Sequence, residues 1–203
     1  MVASYEKLTT ILLKCSDSVQ KAICKCIPQL AKFFPEKAKQ YLETQMTTLR
    51  TSKDEKQVRA CSYAVAGLAK SLGMVYTKEQ GFMETMTSEC FVSKKTDAIR
   101  KQAGLYFYDA MSYIMGHSFE VYLIPLFPNI LSSIADQREP VRRAALCALG
   151  TIMGQFSNFA IKQALPQFLG ELQNDNWRSK YATVEALGNM AFCAPKQIST
   201  FLP

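Results

Sequence analysis

The sequence predicts an all-α chain, a right-handed α-solenoid of about five antiparallel helix pairs. Three observations predict it. Apolar residues recur at helical spacing along the chain, the pattern repeats at an interval of about 40 residues, and no stretch alternates in the two-residue rhythm of a strand.

The repeat is clearest after Pro140. Counting from Val141, Ala144, Ala145, Ala148, Leu149, Ile152, Met153 and Phe156 form one stripe along a helix. The same offsets from Val19 give Ala22, Ile23, Cys26, Ile27, Leu30, Ala31 and Phe34. From Ile99 they give Ala103, Tyr106, Phe107, Ala110, Met111 and Ile114, and from Ser179 they give Ala182, Thr183, Ala186, Leu187, Met190, Ala191 and Ala194. Val58 opens a looser version through Cys61, Val65, Ala66 and Ala69. The anchors 19, 58, 99, 141 and 179 differ by 39, 41, 42 and 38, the period of HEAT repeats, with two helices per unit.

First helices are expected near 3–14, 36–51, 78–92, 118–135 and 159–173, and second helices near 17–33, 56–72, 97–115, 139–156 and 177–193. The pairs then occupy 1–34, 35–73, 77–116, 117–157 and 158–194 of a single segment, and 196–203 starts a sixth, as in a fragment of a longer array. Asp and Ser in the turns suit N-caps. Pro128 and Pro166 both stand thirteen residues before their anchors, which predicts a repeated bend in the first helix. Position +9 is Pro28, Gly67, Tyr108, Gly150 and Gly188, small or kinking residues at most repeats, suited to close helix crossing or a bend.

With 48% apolar residues in 203, the chain is a folded one. Its charge of +7, from 24 basic and 17 acidic residues, permits an acidic partner without requiring one. The seven cysteines are odd in number and irregularly spaced, as expected of reduced core thiols in an intracellular protein. Cys24 and Cys26 point to different faces of a helix and His117 is the one histidine, so no metal is expected. No secretory signal opens the chain, and the longest apolar run, near 119–135, holds Glu120, Pro125 and Pro128, so no membrane span is expected. No phosphate-cradling glycine loop, nucleophile elbow or zinc-hydrolase motif is present, so catalysis, cofactors and small-molecule substrates are not expected.

The residue after each anchor is Gln20, Arg59, Arg100, Arg142 and Lys180, a largely basic ladder. A cation near a helix N-terminus opposes the macrodipole and asks for a reason. One reason is pairing with Asp17, Asp54, Asp97, Glu139 and Asp175, within a repeat or to the next; the other is a polyanion surface. Lys21, Lys101, Arg143 and Arg178 are less explained by pairing and are the better candidates for contact with RNA or an acidic partner. Lys94-Lys95 and Lys53 to Arg59 read as solvated basic loops. Trp177 is expected to pack between repeats, with a partner anchor as the alternative. Tyr106 and Phe107 fall on the core stripe, whereas Tyr108 and Tyr113 fall off it, which leaves them open to exposure.

Several phrases go beyond a generic repeat. Asn176-Trp177-Arg178-Ser179-Lys180, followed by Val184-Glu185-Ala186-Leu187-Gly188-Asn189-Met190-Ala191-Phe192-Cys193-Ala194-Pro195-Lys196-Gln197, closely resembles the general-control translational activators, a family of very large HEAT proteins. Val19-Gln20-Lys21-Ala22 with Cys26-Ile27-Pro28-Gln29-Leu30, and Arg59 to Gly67 with Gly73, resemble the same family in matching order. The resemblance places the chain in the region similar to the HEAT part of fungal elongation factor three. It implies a cytoplasmic, non-catalytic scaffold that binds ribosomes, through rRNA or ribosomal proteins, and has an ABC-type ATPase partner. It further implies support for activation of the initiation factor two alpha kinase in amino-acid starvation, with kinase contacts lying further toward the C-terminus. The alternative from the residues alone is a HEAT adaptor gripping protein cargo, of transport-receptor or phosphatase-scaffold type.

Overall fold

A computed structural model describes residues 2–92, 97–173, 175–193 and 195–199. Lys94-Lys95, Ala194 and the segment from residue 200 lie outside them. Among the described residues the chain is helical, without a strand, as an α-solenoid requires.

It divides into two compact units, Met1–Met115 and Gly116–Pro203. The first holds α1 (Val2–Lys14), α2 (Asp17–Ala31), α3 (Pro35–Thr51), α4 (Glu55–Leu72), α5 (Met74–Glu79), α6 (Phe82–Thr87) and α7 (Ala98–Met115). The second holds α8 (Glu120–Leu123), α9 (Phe127–Ile134), α10 (Glu139–Gln155), α11 (Asn158–Glu171), α12 (Trp177–Cys193) and α13 (Pro195–Ser199). All five second helices start and stop within two residues of expectation, since each combines a long apolar stripe with a punctuating turn.

Two first helices are not the single rods expected. In place of 78–92 stand α5, α6 and a π-helical turn, Ser88–Val92. Gly81 separates α5 from α6 with φ +64°, a left-handed conformation that costs an L-residue energy and ends a helix. In place of 118–135 stand 3₁₀ turns at Gly116–Phe119 and Ile124–Leu126 around α8, and then α9. Pro125 and Pro128 start the 3₁₀ turn and α9, lacking the N–H that a continuous helix would use. The repeated bend is therefore a break at Pro128 only; Pro166 sits inside an uninterrupted α11.

In the first unit α4 packs against α2, α3 and α7 and is buried on every side from Ala60 to Ala69. Gly67 permits this, because a Cβ there would lie 2.8 Å from Ile27 Cβ and 2.9 Å from the Cys24 carbonyl oxygen. Gly150 and Gly188, at the same repeat position, have nothing within 4 Å, so close crossing explains one glycine and not the other two.

The stripe after Val141 is buried throughout, and so is the one after Ile99. The stripe after Val19 is turned about its axis. Gln20, Cys24, Ile27, Pro28 and Ala31 face inward, while Ala22, Cys26, Leu30 and Phe34 are exposed. Gln20 can be interior because its Nε2 donates to the Leu12 carbonyl at 2.7 Å and its Oε1 accepts from Arg59 Nε at 3.1 Å. After Ser179, Ala182, Thr183, Ala186 and Met190 are buried, but Leu187 is half-buried and Ala191 exposed.

Tyr108, off the stripe and by its spacing open to exposure, is 1% exposed, and its hydroxyl donates to the Met83 carbonyl at 3.0 Å. Burial raises its pKa. Cys24, Cys61 and Cys90 are core thiols as expected, but Cys26 and Cys147 are exposed. No described helix is long and apolar enough to cross a membrane.

Candidate interaction surface

Three basic residues of the ladder have structural partners. Arg59 Nη1 pairs with Asp17 Oδ1 of the preceding repeat at 2.6 Å. Arg100 reaches back to the end of α3, donating to the Leu49 carbonyl at 3.2 Å and the Ser52 carbonyl at 3.3 Å. Asp97, two residues before the anchor, accepts from the Arg100 backbone N–H at 2.8 Å and so caps α7 instead of pairing with a guanidinium. Arg142 Nη1 donates to the carbonyls of Asp136 and Gln137 at 3.0 and 2.8 Å. The charges that oppose their own helix dipoles are thus spent on carbonyls and a carboxylate before them.

The remaining candidates differ. Arg143 is exposed, with only a 3.5 Å pair to Glu139 one turn away. Lys21 lies 5.4 Å over the ring of half-buried Tyr113, which also carries Lys25 at 4.8 Å. Lys101 is half-buried and Lys180 exposed. Arg178 stacks its guanidinium 5.4 Å over Trp177.

Trp177 overturns its expectation: it is 69% exposed instead of packed between repeats. Two turns of α12 beyond the helix start the same face still meets solvent, with Tyr181 64% exposed and Glu185 half-buried. Residues four apart on a helix lie above one another. Opposite them, Ala182, Ala186 and Met190 form the buried face.

Trp177, Tyr181 and Glu185 line one side of a cleft of about 430 Å³. Ile134 and Leu146 supply its apolar part, and Arg142 and Arg178 its positive charge. A second hollow of about 400 Å³ adjoins it through Arg178, lined by Ala135 to Arg138 and Asn176. Arg138 is held there by Asp136, whose carboxylate takes its Nε at 2.9 Å and Nη2 at 3.0 Å. Of the eight basic candidates, Arg142 and Arg178 are brought together in this cleft. Sequence reasoning passes over Tyr181 and Glu185, although their four-residue spacing from Trp177 is visible in the sequence.

His117, Glu120 and Ser157 also meet. Glu120 accepts from Ser157 Oγ at 2.7 Å and from the Ser157 N–H at 2.5 Å, and bonds His117 Nδ1 at 2.9 Å. Burial pushes the Glu120 carboxyl up, but these bonds outweigh it and hold it below its usual range. The carboxylate lies between histidine and serine, and Ser157 Oγ accepts from the Ala160 N–H at 3.3 Å, so the cluster ties α8 to the start of α11. No group of three His, Cys, Asp or Glu that could hold a metal ion occurs among the described residues.

Comparison with known proteins follows the helix-pair architecture. The family described as EF3 N-terminal HEAT repeat matches residues 58–203. The chain belongs to that family. It is 32% identical over 197 residues, 97% of its length, to the human "Stalled ribosome sensor GCN1". It is 33% identical over 199 residues to the Dictyostelium discoideum "eIF-2-alpha kinase activator GCN1", covering 98% of this chain. The chain spans about 7% of the length of each relative. The resemblance to the general-control translational activators is therefore shown along nearly the whole chain, and that to their elongation-factor-three-like region over residues 58–203. An engineered protein solved by crystallography shares the fold, with a TM-score of 0.51 at 18% identity over 97% of this chain and 85% of its own.

Proposed function

We propose that this HEAT chain is a non-catalytic scaffold segment of a cytoplasmic translational regulator that binds ribosomes and supports activation of the initiation factor two alpha kinase in amino-acid starvation. The observation that carries the reading is similarity over 97% of the chain to relatives described as a stalled ribosome sensor and, over 98%, as an eIF-2-alpha kinase activator. The charge of +7 supports it, as do basic side chains that the fold leaves in solvent, Arg143 and Lys180 foremost. An ABC-type ATPase partner belongs to the same proposal, as does a kinase met through other parts of a longer protein.

The structure refines which charges to test. Arg59, Arg100 and Arg142 hold other groups in place, so reversing them confounds binding with stability. Lys21→Glu, Arg143→Glu and Lys180→Glu together lower the charge from +7 to +1 (two units per reversal). The triple variant should keep its helical circular dichroism and cease to co-sediment with ribosomes. The log–log slope of binding against salt should flatten by about one unit for each reversed side chain that meets a phosphate. Undiminished co-sedimentation by the folded variant would overturn contact through these three side chains.

A further inference from the structure

The cleft beside Trp177 has three chemical features that rarely serve one ligand. Its aromatic wall is two rings exposed along one helix face, which costs hydration free energy unless something covers it. Its carboxylate, Glu185, has one oxygen, Oε2, buried and without a hydrogen-bond donor. Protein covers that oxygen, so it gains a ligand's N–H when the half-buried side chain turns it toward the cleft that Glu185 lines. At the rim, Arg178 rests on Trp177 and Arg142 is anchored through its Nη1 by two carbonyls, leaving positive charge beside the apolar hollow.

These features select by sign. An acidic peptide meets Glu185, and a basic peptide meets Arg142 and Arg178. A ligand that fits all three is flat, carries neutral N–H donors on one edge and bears negative charge beyond its ring. Guanine in single-stranded RNA has this form: its N1–H and N2–H₂ point the same way, as a carboxylate requires, and its phosphates lie off the opposite end. Adenine lacks that donor pair. A volume of about 430 Å³ is ample for one nucleotide.

We propose that the cleft between α9, α10 and α12 binds a guanine of single-stranded RNA. The base stacks against Trp177 and Tyr181, its Watson–Crick edge donates to Glu185, and its phosphates meet Arg142 and Arg178. The inference rests on the ribosome-binding reading for the source of the RNA and deepens it by naming what one site recognises.

Trp177 is the one tryptophan of the chain, so its fluorescence reports the site. The 203-residue chain is titrated with a hexauridylate carrying one central guanosine, and with its adenosine counterpart. Saturable quenching is expected, with guanosine tighter by about tenfold. Glu185→Gln should bring that ratio toward one while quenching persists. Arg178→Ala should weaken both oligonucleotides alike and flatten their salt dependence. Absence of quenching, equal affinity for the two oligonucleotides, or tighter binding of an acidic or a basic hexapeptide overturns the inference. Ribosome co-sedimentation separates it from the broader reading. Chains that co-sediment without a guanosine preference overturn the cleft assignment alone. Guanosine preference without co-sedimentation overturns the ribosome reading and leaves the cleft standing.

Discussion

At the residue scale, the position nine after each anchor shows what periodicity reveals and what it hides. Gly67 and Gly150 share a register, yet only Gly67 is crowded, by Ile27 and the Cys24 carbonyl. Gly67→Ala should lower stability by about 1–3 kcal/mol, since a backbone oxygen cannot yield as a flexible side chain does. Gly150→Ala should raise it by about 0.5–1 kcal/mol through helix propensity alone. Thermal midpoints of the two variants, moving in opposite directions, check the assignment. Periodicity misplaces Tyr108 and Trp177 for a related reason. A stripe tells which face meets the nearest neighbour, but α7 is buried on nearly all sides, so an off-stripe tyrosine is interior too. Trp177 begins its helix, where a large apolar side chain reads as core in sequence yet projects beyond the packed layer.

At the element scale, the second helices are legible in the sequence because stripe, caps and turns agree on one boundary. The first helices of the third and fourth pairs are not. Their interruptions come from Gly81, Pro125 and Pro128, single residues whose effect depends on whether the backbone is forced to use them. Arg100 shows a tie between elements that charge patterning alone leaves open. It closes the end of α3 by two hydrogen bonds to carbonyls, so Arg100→Met should cost about 1–2 kcal/mol in denaturant unfolding. Arg143→Met, removing a solvated pair, should stay within about 0.5 kcal/mol of the parent. The clamp of Glu120 on Ser157 carries a pH dependence with a definite sign. Its folded pKa lies below the ordinary 4.5, so it contributes stability above that value and loses it as pH falls through the folded pKa. Glu120→Gln should flatten the stability profile below about pH 4.5, and a profile unchanged by the substitution would remove Glu120 from the acid response.

At the scale of the whole molecule, a repeat architecture spreads its core along the chain, each element being held by its neighbours. That much is readable from five matching stripes. The cleft is not, because it depends on which residues remain uncovered once helices pack. Free thiols offer a test of the layered core. Cys24, Cys61 and Cys90 belong to α2, α4 and the turn after α6, and burial pushes each thiol up to about 12. A thiol-labelling reagent at pH 8 should therefore modify exposed Cys26 and Cys147 quickly and reach these three only when the structure opens. Leu68 is fully buried in α4, the helix that α2, α3 and α7 all contact. Leu68→Ala leaves a cavity costing about 2–5 kcal/mol. If α4 is the shared wall of these layers, the variant should accelerate labelling of Cys24, Cys61 and Cys90 together while Cys26 and Cys147 keep their rates. Acceleration of Cys61 alone, followed by mass spectrometry of the labelled peptides, would show instead that α4 opens without its neighbours.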